Sequence, residues 1–386
     1  MITQRLTFSD LGDIFDGPHA TPKRQTEGPY FLNIASLDDG RLDLTQSDHV
    51  SREDFERWTK RITPQEGDLL FSYETRLGDA ALMPAGIEAC LGRRMALLRP
   101  NRERVDPRFL LYFYLSPAVR QIIDRRTIHG ATVNRIGLST MGSWPIIVPA
   151  LSEQRAVAEV LGALDDKVAT NARLVETADS LAKATFAAIS SETDSLPLTE
   201  VARFVNGKAF TKGASGTGRV VVRIAEINSG IGNSTVYSDA VVADQHLVRP
   251  GDVLFAWSGS LTVCRWFRPE AIVNQHIFKV IPASGYPIWC VYGLIAAKLD
   301  EFKSIAAGKA TTMGHIQRHH LEEPVSVPTM AQIERHDAAM TALWKRALLA
   351  EQESLSLTDI RDALLPLLMS GKLRVKDAKK VAEEVL

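Results

Sequence analysis

Three histidines crowd into Gly314-His315-Ile316-Gln317-Arg318-His319-His320, and imidazoles at such spacing could ligate a metal or shuttle protons. No cysteine lies near them and the surrounding repeat offers no obvious carboxylate partner, so the cluster reads as polar surface or nucleic-acid contact, with a metal-dependent enzyme as the alternative. The segment AAGKAT at 306–311 ends in Gly-Lys-Ala-Thr but lacks the upstream glycine of a phosphate-binding loop. GASGTG at 213–218 has neither the spacing nor the strand-to-helix setting of a dinucleotide fingerprint and reads as a flexible turn. A nucleophile elbow, HExxH and the [DNS]PP[YF] tetrapeptide of amino-methyltransferases do not occur. The expectation is a binding protein without catalytic, nucleotide-binding or metal-ligating residues, hence not an enzyme.

The 386 residues, 45% hydrophobic and 24% charged, suit two or three globular domains. Cys90, Cys264 and Cys290 form no CxxC and read as reduced thiols in cores. The N-terminus MITQRLTFSDLGD has no apolar signal region, and no apolar run is long enough to span a bilayer. A cytoplasmic protein is expected.

Whatever the chain binds must be positioned by a duplicated framework. GDLLFSYETRL (67–77) returns as GDVLFAWSGSL (251–261), 184 positions later. Gly17 in LGDIFDGPHATPKR matches Gly207 in VARFVNGKAFTKG, 190 apart. Pro107, Phe109 and Tyr112 match Pro287, Trp289 and Tyr292 at 180, as Thr132 and Ile136 match Thr312 and Ile316. PIIVPALSEQ (145–154) matches PVSVPTMAQ (324–332) at 179. The steadily falling offset marks two copies of one domain separated by small loop deletions. In each copy Gly-Asp favours a turn and the following Leu-Leu-Phe or Val-Leu-Phe fills a buried strand. GRVVVRIAEI (218–227) and HIFKVIP (276–282) also predict strands, and Asp106-Pro107 and Ser116-Pro117 predict capped helix starts.

A long helix follows each copy. Val157, Leu161, Leu164, Val168, Asn171 and Val175 recur at spacings of four and three, and the seam continues to Ile189. Ser152 is the expected N-cap, and Asn171 reads as a register-fixing polar residue. The second helix opens on a Thr329/Gln332 capping box and carries Met340, Leu343, Trp344 and Ala347. A separate short helix is expected from a Ser356/Asp359 box, kinked by Pro366 and stopped at Ser370-Gly371. These seams suit helix-on-helix pairing. The expected boundaries are 1–150 for the first domain, 151–190 for its helix, 191–196 for a linker, 197–328 for the second domain, 329–372 for the second and short helices, and 373–386 for a charged tail.

The net charge of −1 conceals local excess: positions 89–135 hold 10 basic and 3 acidic residues, a net of +7. Two variants of one reader on a rigid spacer suit a ligand with two unlike sub-sites along a line, and duplex DNA is such a ligand. The first-domain candidates for base or phosphate contact are Lys23, Arg24, Tyr73, Arg76, Arg93, Arg94, Thr132, Asn134 and Arg135. The second-domain candidates are Lys208, Lys212, Trp257, Ser258, Ser260, Gln275, His276, Thr311, Thr312 and His315. Arg, Asn and Gln can bond base edges bidentately and Lys suits phosphates. Tyr73 and Trp257 follow a buried strand, so a core position is the alternative for each. A scaffold for protein partners would also explain the repeat and helices, but not the basic stretch.

The order LGDIFDGPHATPK, GD-x-LF twice, HGATVNRIG, PIIVPALSEQRAVAEVLGALDDKV and RDALLPLLMSGKLRV resembles the specificity subunit of type I restriction–modification systems, over nearly the whole chain. That resemblance implies an α+β fold. Two similar mixed α/β target-recognition domains would be separated by long helices that pack as an antiparallel coiled coil in a pseudo-two-fold repeat. It also implies a non-catalytic subunit that reads a bipartite, asymmetric DNA site and docks two methyltransferase (M) subunits and, through them, restriction (R) subunits. S-adenosylmethionine would sit on the M partner, ATP and Mg on the R partner, and no cofactor on this chain. The second copy departs from the pattern with AGKATTMGHIQ where the first has HGATVNRIG, leaving Thr311 and Thr312 interchangeable. Residues 152–190 as one helix would span ~58 Å at ~1.5 Å per residue, more than one DNA turn of ~34–36 Å.

Overall fold

The computed structural model describes residues 3–19, 21–130, 133–190, 193–307 and 314–386. The chain divides into two compact units, Met1–Lys167 with Leu357–Leu386, and Val168–Ser356.

The two units repeat one sheet plan. In the first, strands Gly12–Asp16, Met95–Pro100, Leu69–Ser72 and Ala80–Leu82 are neighbours in that order, all antiparallel. In the second, Ala202–Asn206, Ile277–Pro282, Val253–Ala256 and Thr262–Arg265 take the same order and sense. A parallel pair accompanies each sheet, Gln25–Leu32 with Ala89–Leu91 and Arg219–Val222 with Ala271–Val273. An antiparallel ribbon closes each copy, Thr3–Thr7 on Pro145–Pro149 and Thr193–Pro197 on Pro324–Pro328.

The duplicated Gly-Asp now has a physical reason. Gly67 and Gly251 take φ of 85° and 93°, a left-handed turn that an L side chain would strain. The aspartate that follows caps the turn and meets a cation from the next strand. Asp68 accepts from the Gln65 N–H at 2.8 Å and from Arg99 at 2.7 Å. Asp252 accepts from the Arg249 N–H at 2.8 Å and lies 3.0 Å from the Lys279 ammonium. The strands that follow, Leu69–Ser72 and Val253–Ala256, are buried at every position. Each large apolar side chain buried there contributes about 1.5–3 kcal/mol.

Asp106 and Ser116 cap the first unit's helices Pro107–Leu115 and Pro117–Arg126 as expected, accepting from Phe109 N–H at 3.0 Å and Val119 N–H at 3.4 Å. The second unit lacks that internal Ser-Pro and forms one helix, Ile288–Ala307. The expected strand over 218–227 is shorter, Arg219–Val222, because Glu226 reaches back to the Arg223 N–H and starts a helix at Ile224.

The long helices run Leu151–Ile189 and Met330–Met369. Ser152 falls inside the first helical turn rather than capping it. The break expected at Ser356 does not occur. Its hydroxyl turns back to the Gln352 carbonyl at 3.4 Å and the helix continues through Pro366. The tail forms a further helix, Val375–Glu383, with Ala378 and Ala382 buried.

Within the second unit the two helices run antiparallel. Asn171 donates to Glu353 at 2.8 Å, while further along Phe186 and Ile189 share a core with Ile333 and Met340. Trp344 and, partly buried, Leu343 join that core, whereas Ala347 is fully buried and Val175 half-buried. Within the first unit Val157, Leu161 and Leu164 are buried, and Arg361 reaches Asp165 at 3.0 Å and Asp39 at 2.8 Å. Val168 is buried in the second unit. Among the described residues no helix is long and apolar enough to cross a membrane.

Candidate nucleic-acid interface

The residue after each GD-x-LF strand sits at the centre of one backbone frame. In the first unit the Tyr73 N–H donates to the Arg94 carbonyl at 3.2 Å, and the Ile136 N–H donates to the Tyr73 carbonyl at 2.8 Å. Thr75 N–H donates to the Asn134 carbonyl at 3.3 Å, and Glu74 pairs with Arg135 in an antiparallel bridge. In the second unit Trp257 N–H donates to His276 and Ile316 N–H to Trp257, each at 3.1 Å. Gly259 N–H donates to Gly314 at 2.9 Å, and Ser258 bridges His315. Thr75 and Gly259 occupy the same bend with φ of 70° and 68°. A β-branched residue rarely tolerates that conformation, so the surrounding frame must impose it.

The matched glycines fasten a further turn to this frame. Gly17 N–H donates to Met95 at 2.8 Å and Gly207 N–H to Ile277 at 3.0 Å. A Cβ added at Gly17 would lie 2.2 Å from the Gly92 carbonyl oxygen, and one at Gly207 would lie 2.0 Å from that of Asn274. Only glycine permits this approach.

Arg93, Arg94, Asn134 and Arg135 are therefore brought together around residues 73–75, with Arg93, Asn134 and Arg135 exposed. Glu74, which the charge pattern did not single out, lies among them with a carboxylate oxygen 3.5 Å from Arg94 Nε. Gln275 and His276 are exposed at the matching turn of the second unit, and the Lys208 backbone carbonyl accepts the Gln275 N–H at 3.0 Å. Trp257 is half-buried there. Its ring lies 5.2 Å from that of His276 and 6.3 Å from that of His315, and its Nε1–H donates to Asn206 at 2.9 Å.

Tyr73 is a core residue, 5% exposed, whose hydroxyl donates to the Arg93 carbonyl at 2.7 Å. Burial pushes that phenol up to about 12. Arg76 is exposed, donates to the Ile34 and Leu37 carbonyls at 3.1 and 3.0 Å, and pairs with Asp79. Ser258 is buried at 7% exposure, while Ser260 is exposed. Arg24 pairs with Asp48 at 3.2 Å, and Lys23, Lys208 and Lys212 are exposed. Thr132, Thr311 and Thr312 lie outside the described residues.

A second basic feature adjoins the Gly17 turn. Arg57, Trp58, Lys60 and Arg61 line a groove with Asp16 and His19. Arg61 pairs with Asp16 at 2.5 Å and Arg57 with Asp54 at 2.6 Å, while Lys60 is exposed. The run RWTKR was the legible signal for this groove.

His319, His320 and Glu323 place their ligand atoms within 4.8 Å of one another. His315 belongs instead to the Trp257 frame. The His320 Nδ1 accepts the Gln317 N–H at 2.9 Å, and Glu323 lies 3.2 Å from the Lys298 ammonium. A cation at this position would compete with both. Burial pushes the thiols of Cys90, Cys264 and Cys290 up to about 12, which keeps them protonated and weakly nucleophilic.

A tandem protein with one backbone frame displayed twice, carrying unlike side chains, is the class that this fold defines. Residues 6–178, 173 of the chain's 386 and so a little under half of it, match the family model of the type I restriction modification DNA specificity domain. A putative type I restriction enzyme MjaX specificity subunit from Methanocaldococcus jannaschii is 26% identical over 181 residues, 43% of this chain and 41% of that protein. The match thus spans about two fifths of that relative's length. The crystal structure of a type I restriction–modification S subunit from M. genitalium shares the fold at a TM-score of 0.60, with 17% identity and 96% of each chain covered. An HsdS subunit from Thermoanaerobacter tengcongensis aligns over 96% of this chain and 97% of that one, at 15% identity and a TM-score of 0.33.

Proposed function

We propose that the chain is a non-catalytic subunit that reads a bipartite, asymmetric DNA site, one half through each unit, with the long helices setting the gap. The observation that carries this reading is the matched frame. Identical backbone hydrogen bonds present Glu74, Arg93, Arg94 and Arg135 in one unit and Trp257, Gln275, His276 and His315 in the other. Common scaffolding with different displayed chemistry is what two unlike half-sites require, since major-groove edges differ from base pair to base pair. The cationic turn of the first unit would hold phosphates and make affinity fall with salt. The helices would dock adenine methyltransferase subunits and, through them, restriction subunits. S-adenosylmethionine then belongs to the former, and ATP and Mg to the latter.

The test is a salt titration of DNA binding by this chain purified with its methyltransferase partner. Fluorescence anisotropy on a duplex bearing the methylated motif should show a Kd rising steeply with salt, and much weaker binding to a scrambled duplex. A stable protein complex that binds neither duplex at low salt would leave the scaffold reading instead.

A further inference from the structure

Glu74 is an anomaly on a surface meant for a polyanion. Its side chain, 23% exposed, places a carboxylate oxygen 3.5 Å from Arg94 Nε, and its backbone bridges Arg135. A carboxylate facing phosphates is repelled by them, and by pairing with Arg94 it also weakens one of the cations that would attract DNA. Such a group is tolerable at a DNA-reading face where it meets a hydrogen-bond donor of the ligand. The major-groove amines are adenine N6–H₂ and cytosine N4–H₂, and only cytosine's faces a partner base with two acceptors for a guanidinium, guanine O6 and N7, where adenine's faces thymine O4 and a methyl group. In a G·C pair that amine and O6 are hydrogen-bonded to each other, about 3 Å apart. The acceptor and donor of Glu74 and Arg94 have nearly the same separation and the complementary polarity.

We propose that Glu74 and Arg94 together read one G·C base pair of the first unit's half-site, the carboxylate accepting from cytosine N4 and the guanidinium donating to guanine. This rests on the DNA-reading function proposed above and assigns the base chemistry at one position. The matched residues of the second unit are Ser258, which is buried, and His276, so that unit has no equivalent pair. The consequence is confined to one half of the site.

The experiment is genome-wide mapping of N6-methyladenine with the chain co-expressed with its methyltransferase partner, for wild type, Glu74→Ala and Arg94→Ala. Both side chains reach solvent, and a thermal melt of each variant checks that the fold is retained. The expected result is that both variants relax the same G·C pair in the same half-site. Discrimination against other bases should fall by about tenfold or more there, with the other half and the gap unchanged. Relaxation at different pairs, an unchanged motif, or a uniform loss of methylation with no base relaxed would overturn the assignment while leaving DNA reading intact. A wild-type complex that methylates no split motif would instead overturn DNA reading itself.

Discussion

The Tyr73 hydroxyl donates to the Arg93 carbonyl at 2.7 Å, so a core side chain holds the cationic turn from beneath. The same tyrosine is gripped through its backbone by Arg94 and Ile136. One residue thus couples the GD-x-LF strand to both segments that display the arginines.

Tyr73→Phe removes that hydrogen bond without changing the shape of the ring. Stability at neutral pH should fall by about 1 kcal/mol. Burial holds the phenol protonated up to about 12, against an ordinary value of 10.0. The unfolded chain therefore releases this proton at lower pH than the folded chain, and stability falls as pH rises through that window. The difference between wild type and Tyr73→Phe in urea unfolding should be constant below pH 10 and shrink above it. A difference independent of pH up to 12 would contradict the assignment.

Arg265 is inserted between the long helices of the second unit. Its side chain is 4% exposed, lies 2.8 Å from Glu351 and 3.2 Å from Asp179, and stacks over Trp344 at 4.7 Å. Arg265→Met should cost on the order of 3 kcal/mol, because half-buried Glu351 loses its counter-charge. Adding Glu351→Gln should recover part of that loss in a double-mutant cycle. Strictly additive losses would mean that the pair is not coupled.

Asn171 is 1% exposed in the apolar seam and donates to Glu353 at 2.8 Å. Asn171→Ala should lower stability by about 1–2 kcal/mol, combining a lost hydrogen bond with a small cavity. A melting temperature equal to that of the wild type would show that the bond contributes nothing.

His246 is 4% exposed, and neither ring nitrogen has a hydrogen-bond partner among the described residues. Burial, aided by nearby Lys208, pushes its pKa below the ordinary 6.5. The unfolded chain then takes up a proton that the folded chain refuses, so this contribution is lost as pH falls below about 6.5. His246→Phe should flatten that acid limb, as read from unfolding midpoints between pH 7 and 5. An unchanged acid limb would show that His246 protonates freely in the fold.

The sequence made the duplication legible because core strands and tight glycine turns tolerate little change, so Gly17 over Gly207 and GD-x-LF over its copy survived as visible text. The helices were legible through their seam, but their ends were not. Ser356 and Asp359 resemble a start signal, yet helix packing on both sides carries the chain through them. Site residues were the least legible. Tyr73 turns out to be a core residue, and Arg76, though exposed, spends donors on the Ile34 and Leu37 carbonyls, 42 and 39 positions away in sequence. Glu74 was passed over because a lone carboxylate gives no charge signal until folding sets it beside Arg94 and Arg135.

The central claim is that one frame, displayed twice, reads two unlike half-sites. The most direct measurement is the wild-type N6-methyladenine map of cells expressing this chain with the proposed methyltransferase partner. A single motif with two different halves and one fixed gap is the predicted result. A continuous motif, a symmetric one, or no methylation above background despite a stable complex would contradict it.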